Sequence, residues 1–291
     1  MQRVVSMKNL PFSMFLVLSL SWFVAVCSAE ASEEGQDKRP VMNTYFDRIP
    51  HETRYTDMTD EEDDALLDYW KQSWTEAGWE PRVLSRKDAE RHPQFDEYYK
   101  QLMELRLDEF GNILFLRYLA MANEGGWMAD YDVFPVIDFR QEGFALPKNG
   151  EMCVHDVVAP SLVSGKASAW LAMGNALLQD AKGHMTSQEG KLNFWTDTLG
   201  IYNLLRKEGF PLYSLRQVLG PSLIMSREPL DPEICKSRKL RKNFLGMHFS
   251  PRTMMEGSMS PELRLPRHRI EVAKTFRKEF ADVCNKTATV Q

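Results

Sequence analysis

The sequence predicts an α/β protein, a single domain in which a mostly parallel sheet is flanked by helices. Two observations carry that reading. Short strand-like apolar runs alternate along the chain with longer amphipathic runs of helical period, the order a helix-covered parallel sheet requires. The size also fits: of 291 residues, 43% hydrophobic and 26% charged, about 260 remain once the N-terminal segment is set aside, enough for one large α/β domain or two small ones. There is no internal repeat, and beyond a polar stretch at 30–40 no low-complexity tract.

The elements follow in order. Residues 1–31 read as a targeting segment. Arg3 and Lys8 precede an uncharged stretch from Asn9 to Ala29, and small residues at Cys27-Ser28-Ala29 and Ala29-Glu30-Ala31 suit signal-peptidase cleavage. The stretch is also nearly long enough for a type II anchor, since a spanning helix takes about 20 residues. Both readings send the remainder into the secretory lumen, whether it stays in the ER or Golgi or is secreted. Residues 32–40 form a polar stem, and the folded domain runs from 41 to 291.

That domain opens with a strand within "PVMNTYFD" (40–47). A helix follows, with Thr59 or Asp60 as N-cap and Glu61, Glu62, Asp63 and Asp64 in its first turn, where the helix dipole favours negative charge. "EPRVLS" (80–85) reads as a strand, and "SRKDAERHP" and "FDEYYKQLMELRL" as helices. "GNILFLRYLAMANEG" (111–125) is a nearly all-apolar helix ended by Gly125. Strand-like "WMADYDVFPV" and "EMCVHDVVAP" come next, then helices in "ASAWLAMGNALLQDA" and "KLNFWTDTLGIYNLLRKEG". A loop-rich region leads to a strand in "NFLGMHFSP" (243–251), and "RHRIEVAKTFRKEFADVC" forms the last helix.

Composition excludes some functions. The formal net charge is −5, more negative still without Arg3 and Lys8, whereas nonspecific nucleic-acid binding needs a basic footprint. Cys153, Cys235 and Cys284 make no CxxC pair, so a zinc site is not indicated. In an oxidising lumen they allow one disulfide, with the pairing open. Asn285-Lys286-Thr287 is a glycosylation sequon.

Two features carry chemistry. Arg117 sits amid apolar residues of the 111–125 helix, and a buried guanidinium needs an anion, either a structural carboxylate or a ligand phosphate. Asp130 and Asp132 fall in a strand-like run, where alternation would point both to one face. Two carboxylates sharing a low-dielectric site repel, and a divalent cation relieves the conflict. Oxygen ligands suit Mg²⁺ or Mn²⁺. The plainer reading is a pair of turn-forming aspartates.

The stretch "RYLAMANEGGWMADYDV" resembles the glycosyltransferase sugar-binding region that carries the DXD motif, a group including Golgi α-1,6-mannosyltransferases and capsular polysaccharide transferases. Arg117, Tyr118, Gly125, Gly126, Asp130 and Asp132 match in one register. The resemblance is firm over residues 113–134 and looser over "YWKQSWTEAGWEPRVLS". It implies a GT-A fold, which is Rossmann-like, and a retaining hexosyltransferase using a nucleotide-diphosphate sugar and Mn²⁺. It places Arg117, Gly125, Gly126, Trp127 and Asp130 around the donor, with the glycines letting the backbone approach it. Asp130 and Asp132 hold the metal, and His248 in "GMHFSP" is either a further ligand or a hydrogen-bonded core histidine. Asp197, beside Trp195, meets the acceptor in similar enzymes, though a helix-surface Asp beside a core Trp is the plainer reading; Tyr45 either stacks on the base or belongs to the core. His155 and Asp156 either border the acceptor pocket or are the polar pair that any strand end can carry. The basic run "KSRKLRK" (236–242) could close over the phosphates, though solvated loop charge is its commoner meaning. Two positions depart from the pattern: Leu114 replaces an Asp three residues before Arg117, and Met128 replaces a Tyr.

Two rival classes share these features. A noncatalytic glycan-binding relative would keep the fold, and Leu114 and Met128 suit it. A haloacid-dehalogenase phosphatase also ends an apolar strand in Asp-x-Asp, but it calls for Thr or Val where Phe134 stands.

Overall fold

The structure is a computed structural model that describes residues 39–50, 53, 58–136, 145–156, 159–187, 195–219, 244–250 and 266–288. The targeting segment, most of the stem, Cys235 and the basic run 236–242 lie outside those residues. Residues 39–291 group as one compact unit. Among the described residues no helix is long and apolar enough to cross a membrane.

A six-stranded sheet forms the centre. Its strands are β1 (Val41–Tyr45), β2 (Glu80–Leu84), β3 (Gly126–Ala129), β5 (Met152–Val154), β6 (Leu162–Gly165) and β7 (Leu212–Ser214), in the order β2-β1-β3-β6-β5-β7. Three of its five pairings are parallel, and β6 runs against both neighbours. A second sheet joins β4 (Val133–Pro135), β9 (Gly246–His248) and β8 (Val218–Leu219) in that order. Helices flank the large sheet: α1 (Asp60–Glu76), α2 (Arg86–Glu90), α3 (Phe95–Met103), α4 (Glu109–Met121), α5 (Ala167–Ser187), α6 (Asp197–Arg206) and α7 (Arg269–Ala288). This is the mostly parallel, helix-flanked α/β arrangement that the sequence predicts.

Local chemistry sets the helix ends. Thr59 caps α1 in a capping box: its Oγ1 accepts from the Glu62 amide, and Glu62 accepts from the Thr59 amide. Asp108 caps α4 by accepting from the Gly111 amide. α4 closes with Gly125 at φ +74°, its amide bonded to the Met121 carbonyl. A Cβ on Gly125 would lie 2.5 Å from the Ala167 amide nitrogen. The glycine is therefore required by chain reversal and by the close passage of the segment that starts α5.

Two apolar clusters cover the two faces of the sheet, and β3 alternates between them as a strand should. Met128 packs with Tyr118, Met152, Val163 and Trp170 under α4 and α5. Trp127 and Ala129 pack with Trp70, Trp74, Trp79 and Phe134 under α1 and the small sheet. Trp127 lies edge-on to Trp79 and tilted on His155.

The strand expected through 127–136 is broken in two. The Val133 amide bonds to the Asp130 carbonyl, so residues 130–133 form a turn that carries the chain from the large sheet into the small one. β6, β7 and β8 lack strand signals of their own; β6 is the four-residue Leu-Val-Ser-Gly, buried throughout.

Candidate functional site

The carboxyl ends of the parallel strands β1 and β3 lie side by side, where an open α/β sheet offers a crevice. Tyr45 ends β1, and the turn Asp130-Tyr131-Asp132 follows β3. A half-open pocket lies here, lined by Tyr45, Phe46, Asp47, Ile49, Asp63, Phe110, Ile113 and Tyr131. The Tyr131 hydroxyl donates to Asp63, and its ring meets Phe46 edge-on. Asp63 is thus more than first-turn charge for α1: it is buried and fastens the turn. Tyr45 donates its hydroxyl to Asp47 and presents its ring to the pocket.

Asp130 and Asp132 converge, but through a turn and not through strand alternation. With His248 they form a group whose potential ligand atoms all lie within 4.8 Å of one another. The three come from the turn and from β9, whose His248 pairs in register with Val133. His248 is held from behind. Its Nδ1 lies 3.2 Å from Asp156 Oδ2, which also accepts from the Ser161 hydroxyl. With Nδ1 protonated toward Asp156, Nε2 faces Asp132 Oδ1 at 3.5 Å. This carboxylate–histidine backing is how metal-ligating imidazoles are oriented.

The carboxylates are not left facing only each other. Arg117 Nη1 contacts Asp130 Oδ1 at 3.0 Å, while its Nη2 pairs with Asp197. Arg269 Nη1 contacts Asp132 Oδ2 at 3.0 Å. The expectation that charge repulsion alone demands a dication is therefore corrected: guanidinium groups already reach both acids. Each carboxylate still keeps a second oxygen for an ion. One guanidinium between Asp130 and Asp197 also leaves that trio net negative. Burial, opposed by Arg117 and reinforced by Asp132, pushes the Asp130 carboxyl up to about 7. Burial alone would lower His248, but Asp132 and the bond to Asp156 outweigh it and raise its pKa.

These residues fit a divalent cation. The two carboxylate oxygens suit Mn²⁺ or Mg²⁺, and the imidazole nitrogen favours Mn²⁺ of the two. Donors each about 2.1 Å from one ion lie roughly 3–4 Å apart, so a spread within 4.8 Å needs at most a small side-chain shift. Asp130, with a third of its side chain exposed, has the room to make it.

Other expected site residues stand elsewhere. Gly125 and Gly126 begin β3, whereas the aspartates follow its end, about 13 Å away at 3.3 Å per residue. They serve the α4–β3 reversal. Trp127 is buried in the apolar cluster that includes Trp79. Asp197 is neither a surface residue nor a group facing an open acceptor cleft. It is buried at the first position of α6 as the anion of Arg117. Leu114, three residues before Arg117 on α4, offers that guanidinium no carboxylate. Trp195 stacks on Phe115 and donates to Asp180. His155 is buried between Gln217 and Ser164, and burial lowers its pKa to about 4.

Sequence reasoning missed Arg269 and the anchoring role of Asp156. A signal for Arg269 existed: it falls on the apolar face of α7, one turn before the buried Val272 and Ala273, the same pattern that flagged Arg117. Cys153 is buried with a free thiol, and the sequon lies in the last turns of α7.

Comparisons with known proteins place these features in a sparse setting. A family model described as "Domain of unknown function (DUF8765)" matches residues 33–154. No curated protein matches the chain. Among solved structures, the chain is similar to that of the glycosyltransferase GlyE in Streptococcus pneumoniae TIGR4. The identity is 12%, the TM-score 0.42, and the match covers 87% of this chain. The chain spans 64% of the length of that structure.

Proposed function

We propose that this chain is a metal-dependent glycosyltransferase that moves a hexose from a nucleotide-diphosphate sugar to a glycan hydroxyl, with retention of configuration. One observation carries the reading: Asp130, Asp132 and His248 converge at the carboxyl edge of the parallel strands, beside an aromatic-walled pocket. The six positions shared with the DXD sugar-binding region support it. In this reading Asp130, Asp132 and His248 hold Mn²⁺ or Mg²⁺, and Asp156 fixes the His248 tautomer. Arg117 sets the charge of the site from beneath, and Tyr45 and Phe46 offer faces for a nucleobase. The bound ion would supply electrostatic stabilisation to a departing diphosphate. The targeting segment and the sequon would put the reaction in the secretory lumen.

The arginine contacts on both aspartates suit a second reading, a noncatalytic glycan-binding relative in which guanidinium groups stand where the ion would act. One experiment separates the two. Calorimetric titration of UDP and GDP, with and without Mn²⁺, is paired with a donor-hydrolysis screen on wild type and Asp132→Ala. The transferase reading expects Mn²⁺-dependent nucleotide binding and hydrolysis, both lost in a variant that stays folded. Glycan binding with no nucleotide affinity at any Mn²⁺ concentration would sink it.

A further inference from the structure

We propose that Arg269 is a positioning residue for the cation site, and that through it ion binding is coupled to the seating of the C-terminal helix. The inference rests on the reading of Asp130, Asp132 and His248 as cation ligands. It concerns a residue from a part of the chain that the sugar-binding motif does not include.

Arg269 is the first residue of α7 and is 1% exposed. Its Nη1 holds Asp132 Oδ2, while Asp132 Oδ1 faces His248 Nε2. A carboxylate turns easily about its last torsion. With Oδ2 taken, the group is fixed in plane and offers an ion one oxygen. Guanidinium and ion therefore approach different oxygens and need not compete.

The same helix grips the other end of β4. Arg277 donates from Nε to the Pro135 carbonyl, and from Nη1 to the Tyr69 hydroxyl and Ser73 Oγ. Between the two arginines, Val272 and Ala273 are buried in the cluster under α1. So α7 is tied to the residue just before β4 and to the last residue of β4. Whatever unseats α7 releases a ligand carboxylate. By linkage, an ion that needs that carboxylate in place must favour the seated helix to the same degree.

A role in charge alone predicts the opposite. The guanidinium repels a cation, so deleting its charge would tighten ion binding. Positioning predicts weaker binding, and outer-shell partners of metal ligands are typically worth 10–100-fold in affinity.

The test is Mn²⁺ titration of the full chain, wild type against Arg269→Gln and Arg269→Lys, together with hydrogen exchange across α7 with and without Mn²⁺. Arg269→Gln should weaken Mn²⁺ binding at least tenfold, and Mn²⁺ should slow exchange in α7 of the wild type only. Arg269→Lys keeps the buried charge and loses the fork, so it carries the test if the Gln variant does not fold, and it should also bind more weakly than wild type. Equal or tighter binding in the folded variants, or α7 exchange in the wild type that Mn²⁺ leaves unchanged or speeds, would overturn the coupling while the cation site stood. A wild type that binds no Mn²⁺ would overturn the cation reading and this inference together.

Discussion

Arg117 shows how one residue can be read correctly and its partner missed. Its place among apolar residues of α4 demands an anion, and the resemblance looks for one at the position of Leu114. The fold provides Asp197 instead, from a helix 80 residues further along. No local pattern links the two, because their meeting depends on α6 packing against α5, which in turn packs on α4. Breaking a buried ion pair from one side costs about 3–5 kcal/mol, and Asp130 still shares the guanidinium. Asp197→Ala should therefore destabilise the chain by about 3 kcal/mol in urea unfolding. Leu114→Asp in that background should restore part of the loss, because position 114 is one turn from Arg117 on the same helix. A neutral Asp197→Ala would mean that Asp130 alone suffices for the buried charge.

At the scale of elements, the sequence announces helices better than strands. α1, α4 and α7 run long enough for period and caps to show. The Thr59 box and the Asp108 cap are chemistry that a sequence displays directly. β6, β7 and β8 have four residues or fewer, too short for alternation to register, and are defined only by their neighbours. The turn at Asp130–Val133 was hidden because Tyr131 and Val133 continue a strand-like composition across it. The two glycines belong to this scale as well. Gly125→Ala combines positive φ with a clash against backbone 2.5 Å away, whereas Gly126→Ala meets only φ +107° and an ordinary contact with Asn43 Nδ2 at 3.9 Å. Backbone strain of this kind costs on the order of 1–3 kcal/mol, and overpacking adds a similar amount. Thermal melts should rank Gly125→Ala as clearly the worse. Neither should alter Mn²⁺ affinity in protein that remains folded, since both lie at the far end of β3. A selective loss of Mn²⁺ binding in either would restore the glycines to the site.

For the molecule as a whole, the site makes stability depend on pH. The Asp130 carboxyl titrates near 7 when folded and near 3.9 when unfolded. The folded state thus keeps a proton that the unfolded state gives up. That contribution is complete below about pH 4 and is lost as pH rises to about 7. His248, raised above its ordinary value, acts in the same sense and loses its contribution as pH rises through its folded pKa. Metal-free protein should therefore lose stability between pH 5 and pH 8 relative to an Asp130→Asn control. Mn²⁺ must displace these protons, so it should raise the melting temperature more at pH 8 than at pH 5. Equal shifts at both values would remove Asp130 and His248 from the ligand set. At this scale the fold class and the acidic pair were legible in the sequence. The buried arginine that meets Asp132 from 137 residues away was not, because only the closed fold brings α7 back to the turn.

The double engagement of Arg117 bears on descent. A lineage that exchanges this guanidinium for a neutral group strands the buried Asp197 and leaves the half-buried Asp130 without its partner in one step, so the change is best tolerated where both acids have already been replaced. Drift at positions 117, 130 and 197 should therefore proceed as a linked set, with intermediates that bury unmatched charge selected out.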